Sequence, residues 1–401
     1  MDLYLKKFFE EFFVIFFFIS LIISGGVAEL SLLIVFFYTL ANYRNKLIDV
    51  IKNEKIIFIF FISLIISSLF NSYEISIKGI VYFRFYLYFI ALVVMLNLNK
   101  SFKILNYLLL IWLFIILDLI FQYITGTDIF GFESFSYNSA EIGKNILRLT
   151  GPFDDSRSGF YLIILSVFIS LYMVKERKFF QLISLNFTNC IIISLTGERT
   201  SLIYSIIIFL ISIFFLMNKN KKFLLIFLSV IVISIPIIIK NAPQIVKDRN
   251  INLLEYQVNN FSKTQWYAHY VTSVEIFNDY KLLGIGVRNF RDICKSNEYD
   301  GLFDKNFRCS THPHNKYLEI LSESGVIALI LIILIIYQNK FILKFRKLDI
   351  SYMLSILIIL FILFDPLLPS KSFFNNWMAC IFWFLLAKVI SLKYLINKTN
   401  F

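Results

Sequence analysis

Long apolar runs, broken by short clusters of charged, Gly or Asn residues, dominate the chain. They stand at about 8–24, 27–43, 56–71, 79–97, 104–124, 159–174, 179–196, 200–217, 222–239, 323–338, 350–365 and 373–391. Each approaches the ~20 residues that an α-helix needs to cross a hydrocarbon core at ~1.5 Å per residue. Lipid offers backbone amides no partner, so a spanning segment must satisfy them internally, as a helix does. The pattern therefore predicts an all-α, polytopic membrane protein with about twelve transmembrane helices. The first run follows Lys6 and Lys7 in the manner of a signal peptide. The second begins almost at once, with no small-residue cleavage site between them, so the first reads as an uncleaved anchor.

Composition sharpens this. Hydrophobic residues make up 58% of the 401 residues and charged residues only 16%, against about 25% charge in soluble domains. That excludes an ordinary soluble enzyme, a disordered chain and a disulfide scaffold. The net charge of +12 speaks first of topology. With a cytoplasmic N-terminus, the cytoplasmic segments carry 21 Lys and Arg and the short opposite loops carry 3. The positive-inside rule then places both termini in the cytoplasm. Two long outside loops remain, at about 125–158 and 240–322, within one membrane domain spanning 1–401. Long loops between spans are usually functional. In the larger one, between helices nine and ten, Trp266 to Asn278 has helical apolar spacing and is expected to lie along the membrane surface. No fixed-period repeat is visible, which disfavours a transporter built from obvious repeats.

All three histidines, His269, His312 and His314, fall in the larger outside loop. Histidine titrates near pH ~6.5 and can take a proton from a hydroxyl at neutral pH. His314, just before span ten, is a candidate base; the alternative is a loop residue that caps or packs. A metal site wants three or four ligands, and His312-x-His314 with Glu319 nearby falls short, so neither metal nor cofactor is expected. His269 reads as an interfacial residue. Cys190 and Cys380 lie in spans as small apolar residues, while Cys294 and Cys309 share the outer loop and could be paired or free.

His314-Asn315, nine residues, then Gly325 resembles the H-[NSQ]-x9-G signature of the O-antigen ligase and O-antigen polymerase family of bacterial inner-membrane glycosyltransferases. Gly151 to Asp155 is similar to that family's stretch before span six, and Thr196 to Ser201 to its short outer loop with an Arg. Leu283-Gly284-Ile285-Gly286 is similar to its glycine segment upstream of the histidine, and Asp365-Pro366 to Phe374 to its last outer loop. Ala328 stands where the family often has a second Gly, and Lys263 where it often has an Arg before the Trp of the outer helix.

The resemblance implies transfer of a glycan from an undecaprenyl diphosphate-linked donor to a sugar hydroxyl, without a metal, at the periplasmic side of the inner membrane. A ligase would use a lipid A–core acceptor; a polymerase, the alternative, would extend a lipid-linked glycan. The histidine spacing and single moderate outer loop lean towards ligase. Membrane lipids are expected partners and nucleic acid is not. His314 becomes the general base and Arg199 the stabiliser of charge on the departing diphosphate. Arg84, Lys263 and Arg288 are the other diphosphate candidates, with Arg291 a further possible cation. Arg84, placed about six residues (~9 Å) into span four, is costly in an apolar zone unless it faces a polar cavity. Arg148 and Arg157 flank the Gly151 stretch. His312 and Glu319 are expected to orient His314 or hold the acceptor. A twelve-helix transporter or flippase would instead place its charges near the bilayer midplane, where only Asp118 and Arg84 stand out.

Overall fold

The computed structural model describes residues 3–71, 73–98, 104–139, 143–176, 178–217, 243–301, 303–339 and 350–396. The apolar run at 222–239 lies outside the described residues; the others fall on helices. These are α1 (Leu3–Ile23), α2 (Gly25–Asn42), α3 (Arg44–Asn53), α4 (Lys55–Phe70), α5 (Lys78–Tyr82), α6 (Arg84–Leu98), α7 (Ile104–Thr125), α8 (Ser158–Lys175), α9 (Phe179–Thr196) and α10 (Arg199–Met217). After α11 (Leu253–Asn259) and α12 (Gln265–Asp279) come α13 (Lys316–Asn339), α14 (Ile350–Phe364) and α15 (Asn376–Ile396). Among the described residues, six segments are long and apolar enough to cross a membrane: Gly25–Asn42, Lys78–Leu98, Ile104–Thr125, Phe179–Thr196, Lys316–Asn339 and Asn376–Tyr394. A seventh arises if α3 and α4, bent by 81°, count as one. The chain is a helical, multi-pass membrane protein.

Two compact units can be distinguished. One comprises Met1–Ser101, Phe261–Leu348 and Ile359–Phe401; the other comprises Phe102–Asn260 and Asp349–Ile358. In the first, α6 and α15 are apolar almost all round, and such helices belong inside a bundle. Phe85 and Phe89 of α6 and Trp383 of α15 are fully buried. The Trp383 ring meets that of Phe61 on α4 at 4.6 Å, and its indole N–H donates to the Tyr82 hydroxyl at 3.3 Å, so the one polar atom of the indole is satisfied. In contrast, α2 leaves Leu30, Ile34 and Phe37 half-exposed along one face, as suits a helix bordered by lipid.

In the second unit, side-chain amides tie the helices together. Trp112 donates to Asn189 at 2.8 Å and Asn186 to Ser212 at 2.8 Å. Such bonds join apolar helices that have little hydrophobic drive to associate within lipid. The loop after α7 holds an antiparallel hairpin, β1 (Phe135–Ser139) with β2 (Lys144–Arg148). Span-length apolar runs say nothing of so short a hairpin. The buried Gln122 side chain fixes the loop's return, accepting from the main-chain N–H of Thr150 and Gly151, each at 2.9 Å.

Candidate functional site

The signature residues each have a local structural cause. Asn315 is the N-cap of α13: its Oδ1 accepts from the N–H of Tyr317 at 3.0 Å and of Leu318 at 3.2 Å, donors that no earlier turn could satisfy. Its amide nitrogen donates to Pro366 O at 3.0 Å. Lys316 reaches the carbonyls of Ile362 (3.2 Å) and Leu363 (2.8 Å), and the Tyr317 hydroxyl that of Phe364 (2.5 Å). These side chains cap the electronegative end of α14. The helix therefore starts seven residues before the apolar run read from the sequence, because its charged first turn is consumed by these contacts. Gly325 breaks α13, with φ 74° and ψ −179°, a region open essentially to glycine alone. A Cβ there would lie 2.1 Å from Leu282 O, and one on Gly284 would lie 2.4 Å from the Glu323 carbonyl carbon. The break admits the glycine segment, whose Ile285 and Gly286 N–H groups donate to Ser322 O (3.1 Å) and Glu323 O (2.8 Å).

His314 itself has φ 58°. A non-glycine residue in the left-handed region is uncommon and tends to mark a functional site. The three histidines, spread over the sequence, come together. The His312 and His314 rings lie 4.2 Å apart and the His269 and His314 rings 5.3 Å apart, the latter stacked. His269 is buried rather than interfacial, since α12 turns Ala268, His269, Thr272, Ser273 and Ile276 inward. The Ser273 hydroxyl donates to Leu318 O of α13 at 3.2 Å. His312 Nε2 stands 3.2 Å from Ser370 O, and a carbonyl only accepts, so Nε2 carries the proton. Its Nδ1 then accepts from the Thr311 hydroxyl at 2.9 Å. His314 Nε2 pairs with the Ser310 hydroxyl at 3.2 Å. Among the described residues no protein group hydrogen-bonds His314 Nδ1.

Burial pulls all three imidazoles below their ordinary value. His314 falls to about 4 for that reason alone. His269 falls to about 4, with His314 adding to burial and the nearby Cys309 main chain opposing it. His312 falls to about 3, burial again leading and His314 next; the Ser370 contact opposes, and His269 and Lys371 push further down. All three are neutral at pH 7, so lone pairs are available there.

The loop between α14 and α15 runs from these histidines to two arginines. Ser370 N donates to His314 O at 2.8 Å. Glu319 does not hydrogen-bond His314. It is buried and accepts from the Ser372 hydroxyl at 2.5 Å and from Phe373 N at 2.7 Å, so it shapes the loop. Arg288 Nε donates to Phe374 O at 2.7 Å, and a second nitrogen reaches Asn376 Oδ1 at 2.7 Å. Burial lowers its pKa from the ordinary value, though guanidinium stays protonated in proteins. Arg84, at the start of α6, donates to the same Asn376 oxygen at 3.2 Å and forks onto both oxygens of Glu29. Asn376 in turn donates to Glu29 at 3.2 Å. The sequence reading missed Glu29 and Asn376. An acidic residue in the second apolar run was a legible signal, since a charge there demands a partner; Asn376 carried none.

Lys263 stands exposed in the short 3₁₀ turn before α12, and among the described residues no side-chain hydrogen bond or ion pair engages it. Cys294 and Cys309 are joined, with Cα atoms 5.4 Å apart. Beside them Arg308, fully buried, gives its donors to the carbonyls of Cys294 (2.8 Å), Ser296 (2.9 Å), Tyr299 (2.7 Å) and Phe303 (2.9 Å) and to Asp300 (2.7 Å). This loop packs a small core of Ile276, Ile285, Phe290 and Ile293. Arg199 belongs to the second unit and donates to Gln257 at 2.6 Å. Nearby, Glu198 caps α8 through Gly159 N (2.8 Å) and Phe160 N (3.1 Å), and Arg249 donates to Gly197 O at 3.1 Å. Arg157 pairs with Asp154 and Asp155. Among the described residues no group of three His, Cys, Asp or Glu is arranged to hold a metal ion.

Fold and residues together define an integral membrane protein that gathers imidazoles and guanidiniums beside its apolar helices. Residues 184–333 match the model of a family described as O-antigen ligase. This is the family that the His314 to Gly325 spacing resembles, and the matched stretch carries Arg199, Lys263, Arg288, Glu319 and the three histidines. Glu29, Arg84 and Asn376 lie outside it. No curated protein matches the chain.

Proposed function

We propose that this protein is an O-antigen ligase that moves a glycan from undecaprenyl diphosphate to a hydroxyl of a lipid A–core sugar at the periplasmic face of the inner membrane. The reading includes twelve spans with both termini cytoplasmic. The observation that carries it is His314, a neutral, buried imidazole held at positive φ within the family's signature, on the same loop network as two converging guanidiniums. His314 Nδ1 takes the acceptor hydroxyl's proton while Nε2–H donates to Ser310 Oγ. The alkoxide oxygen attacks the anomeric carbon, the bond from that carbon to the phosphate oxygen breaks, and the anomeric centre inverts. Negative charge grows on the departing diphosphate, and Arg288 and Arg84 are assigned to it. Fixed donors of this kind stabilise charge as it develops and need no reorganisation. Arg199 has the same assignment, supported by its place in the matched stretch. Lys263 is assigned a peripheral contact with the donor.

The test is transfer in proteoliposomes with lipid-linked glycan and lipid A–core. His314→Ala and Arg199→Ala should each insert normally and lose transfer; full activity of either would remove its role. The lipopolysaccharide of a deletion strain separates ligase from polymerase. Loss of all long chains with accumulation of lipid-linked polymer supports the ligase, and core bearing a single repeat supports the polymerase.

A further inference from the structure

We propose that Glu323 is a positioning residue that sets the backbone of Arg288 and thereby aims its guanidinium at the donor diphosphate. The inference rests on the diphosphate role given to Arg288 above.

Among the described residues, Arg288 and His314 alone of the non-glycine residues have positive φ; that of Arg288 is 63°. Such a backbone costs ~1–3 kcal/mol unless its surroundings impose it. Here the imposing group is visible. Glu323 Oε2 accepts from Arg288 N at 2.6 Å and Oε1 from Phe290 N at 3.0 Å. One carboxylate thus gathers the amides of residues two apart, as an anion gathers a nest of successive N–H groups. Glu323 is itself fixed. It is fully buried in α13, and its carbonyl accepts from Gly286 N at 2.8 Å and from the Ser67 hydroxyl at 3.0 Å. Lys78 steadies the next residue, donating to Asn289 Oδ1 at 2.6 Å.

From this backbone the Arg288 side chain reaches Phe374 O and Asn376 Oδ1. Reversing the sign of φ would swing the Cα–Cβ bond and carry the guanidinium away from both. A buried carboxylate whose side-chain oxygens bind only main-chain amides would ordinarily be a costly way to fold a loop. Its position under the one arginine in a strained backbone gives that cost a function.

Glu323→Gln keeps the size but leaves an NH2 facing an amide N–H, donor against donor. The probe is undecaprenyl diphosphate, titrated by intrinsic fluorescence into detergent-purified full-length protein. Wild type, R288A, E323Q and R288A/E323Q are compared, each with its melting temperature without ligand. Either single substitution should raise Kd ~10- to 100-fold, the range for a bond to a charged group. The double variant should bind within about 3-fold of R288A, because Glu323 acts through that side chain. Wild-type affinity of E323Q, or a further full loss in the double variant, overturns the inference while leaving Arg288 a diphosphate contact. Wild-type affinity of R288A removes that contact, and the inference with it. Should E323Q fail to accumulate, E323D takes its place in the same cycle. Its shorter carboxylate can reach one amide at most, so it should lie between wild type and R288A.

Discussion

Arg84 and Arg288 donate to one and the same oxygen, Asn376 Oδ1, at 3.2 and 2.7 Å. Two cations brought to a single neutral acceptor repel one another, and among the described residues only Glu29, on the Arg84 side, offsets this by direct pairing. On the proposed function, an incoming diphosphate would add negative charge here.

The geometry of that pair makes Lys a poor substitute. Arg84 forks onto both oxygens of Glu29 while also reaching Asn376. A lysine offers a point charge without the fork. Arg84→Lys should weaken undecaprenyl diphosphate binding ~10-fold or more. Glu29→Gln should lower the melting temperature, because it leaves a half-buried guanidinium without its counter-charge. Binding and thermal unfolding of the two variants check this, and an unchanged R84K would show that bidentate geometry is irrelevant.

Acid should act late on catalysis and early on stability. Because burial lowers His314 to about 4, kcat/KM should be flat from neutral pH down to about pH 5 and fall as pH drops through about 4. A limb centred near the ordinary ~6.5 would contradict the burial. For stability, the unfolded chain binds protons at its histidines near pH ~6.5 while the folded protein does not until about 4 for His269 and His314 and about 3 for His312. Where the unfolded state holds more protons, stability rises with pH. The contribution is complete above ~6.5 and is lost progressively as pH falls towards those folded values. Melting temperature against pH, compared with a His269→Gln variant, measures it.

Gly325→Ala should be among the most damaging small substitutions in the chain. Its Cβ would meet Leu282 O at 2.1 Å, in a backbone region that alanine scarcely enters. The glycine segment would be pushed off α13, and with it Arg288. Low yield or a melting temperature reduced by several degrees is expected; a protein of wild-type stability would contradict the break.

The Cys294–Cys309 link closes a loop of 15 residues, for which the chain-entropy account gives ~3 kcal/mol. Non-reducing peptide mass spectrometry should find the linked pair, and reduction with alkylation should lower the melting temperature. Arg308→Met, which orphans several buried carbonyls at once, should cost at least as much. Free thiols at both positions in protein from an oxidising compartment would count against the link.

Much of this was legible in the chain. Apolar runs marked the helices because lipid makes backbone satisfaction a matter of segment length, and His314, Asn315 and Gly325 were singled out by their resemblance to a family signature. What pattern could not show was pairing across the sequence. Glu319 looked like a partner for His314 but serves Ser372 and Phe373, 53 and 54 residues away. His269 looked interfacial from its amphipathic stretch, yet α12 turns it against His314. Asn376 had no local signature, since its role exists only where α2, α6 and the glycine segment converge.

The segment from Ser370 to Asn376 works as a ruler. Its main chain is gripped near one end by His314 and His312, in the middle by Glu319, and near the other end by Arg288. The spacing of imidazoles and guanidiniums is thus written in a residue count. Deleting or inserting one residue there should shift one set against the other, whereas exchanging side chains that make none of these grips should be borne easily.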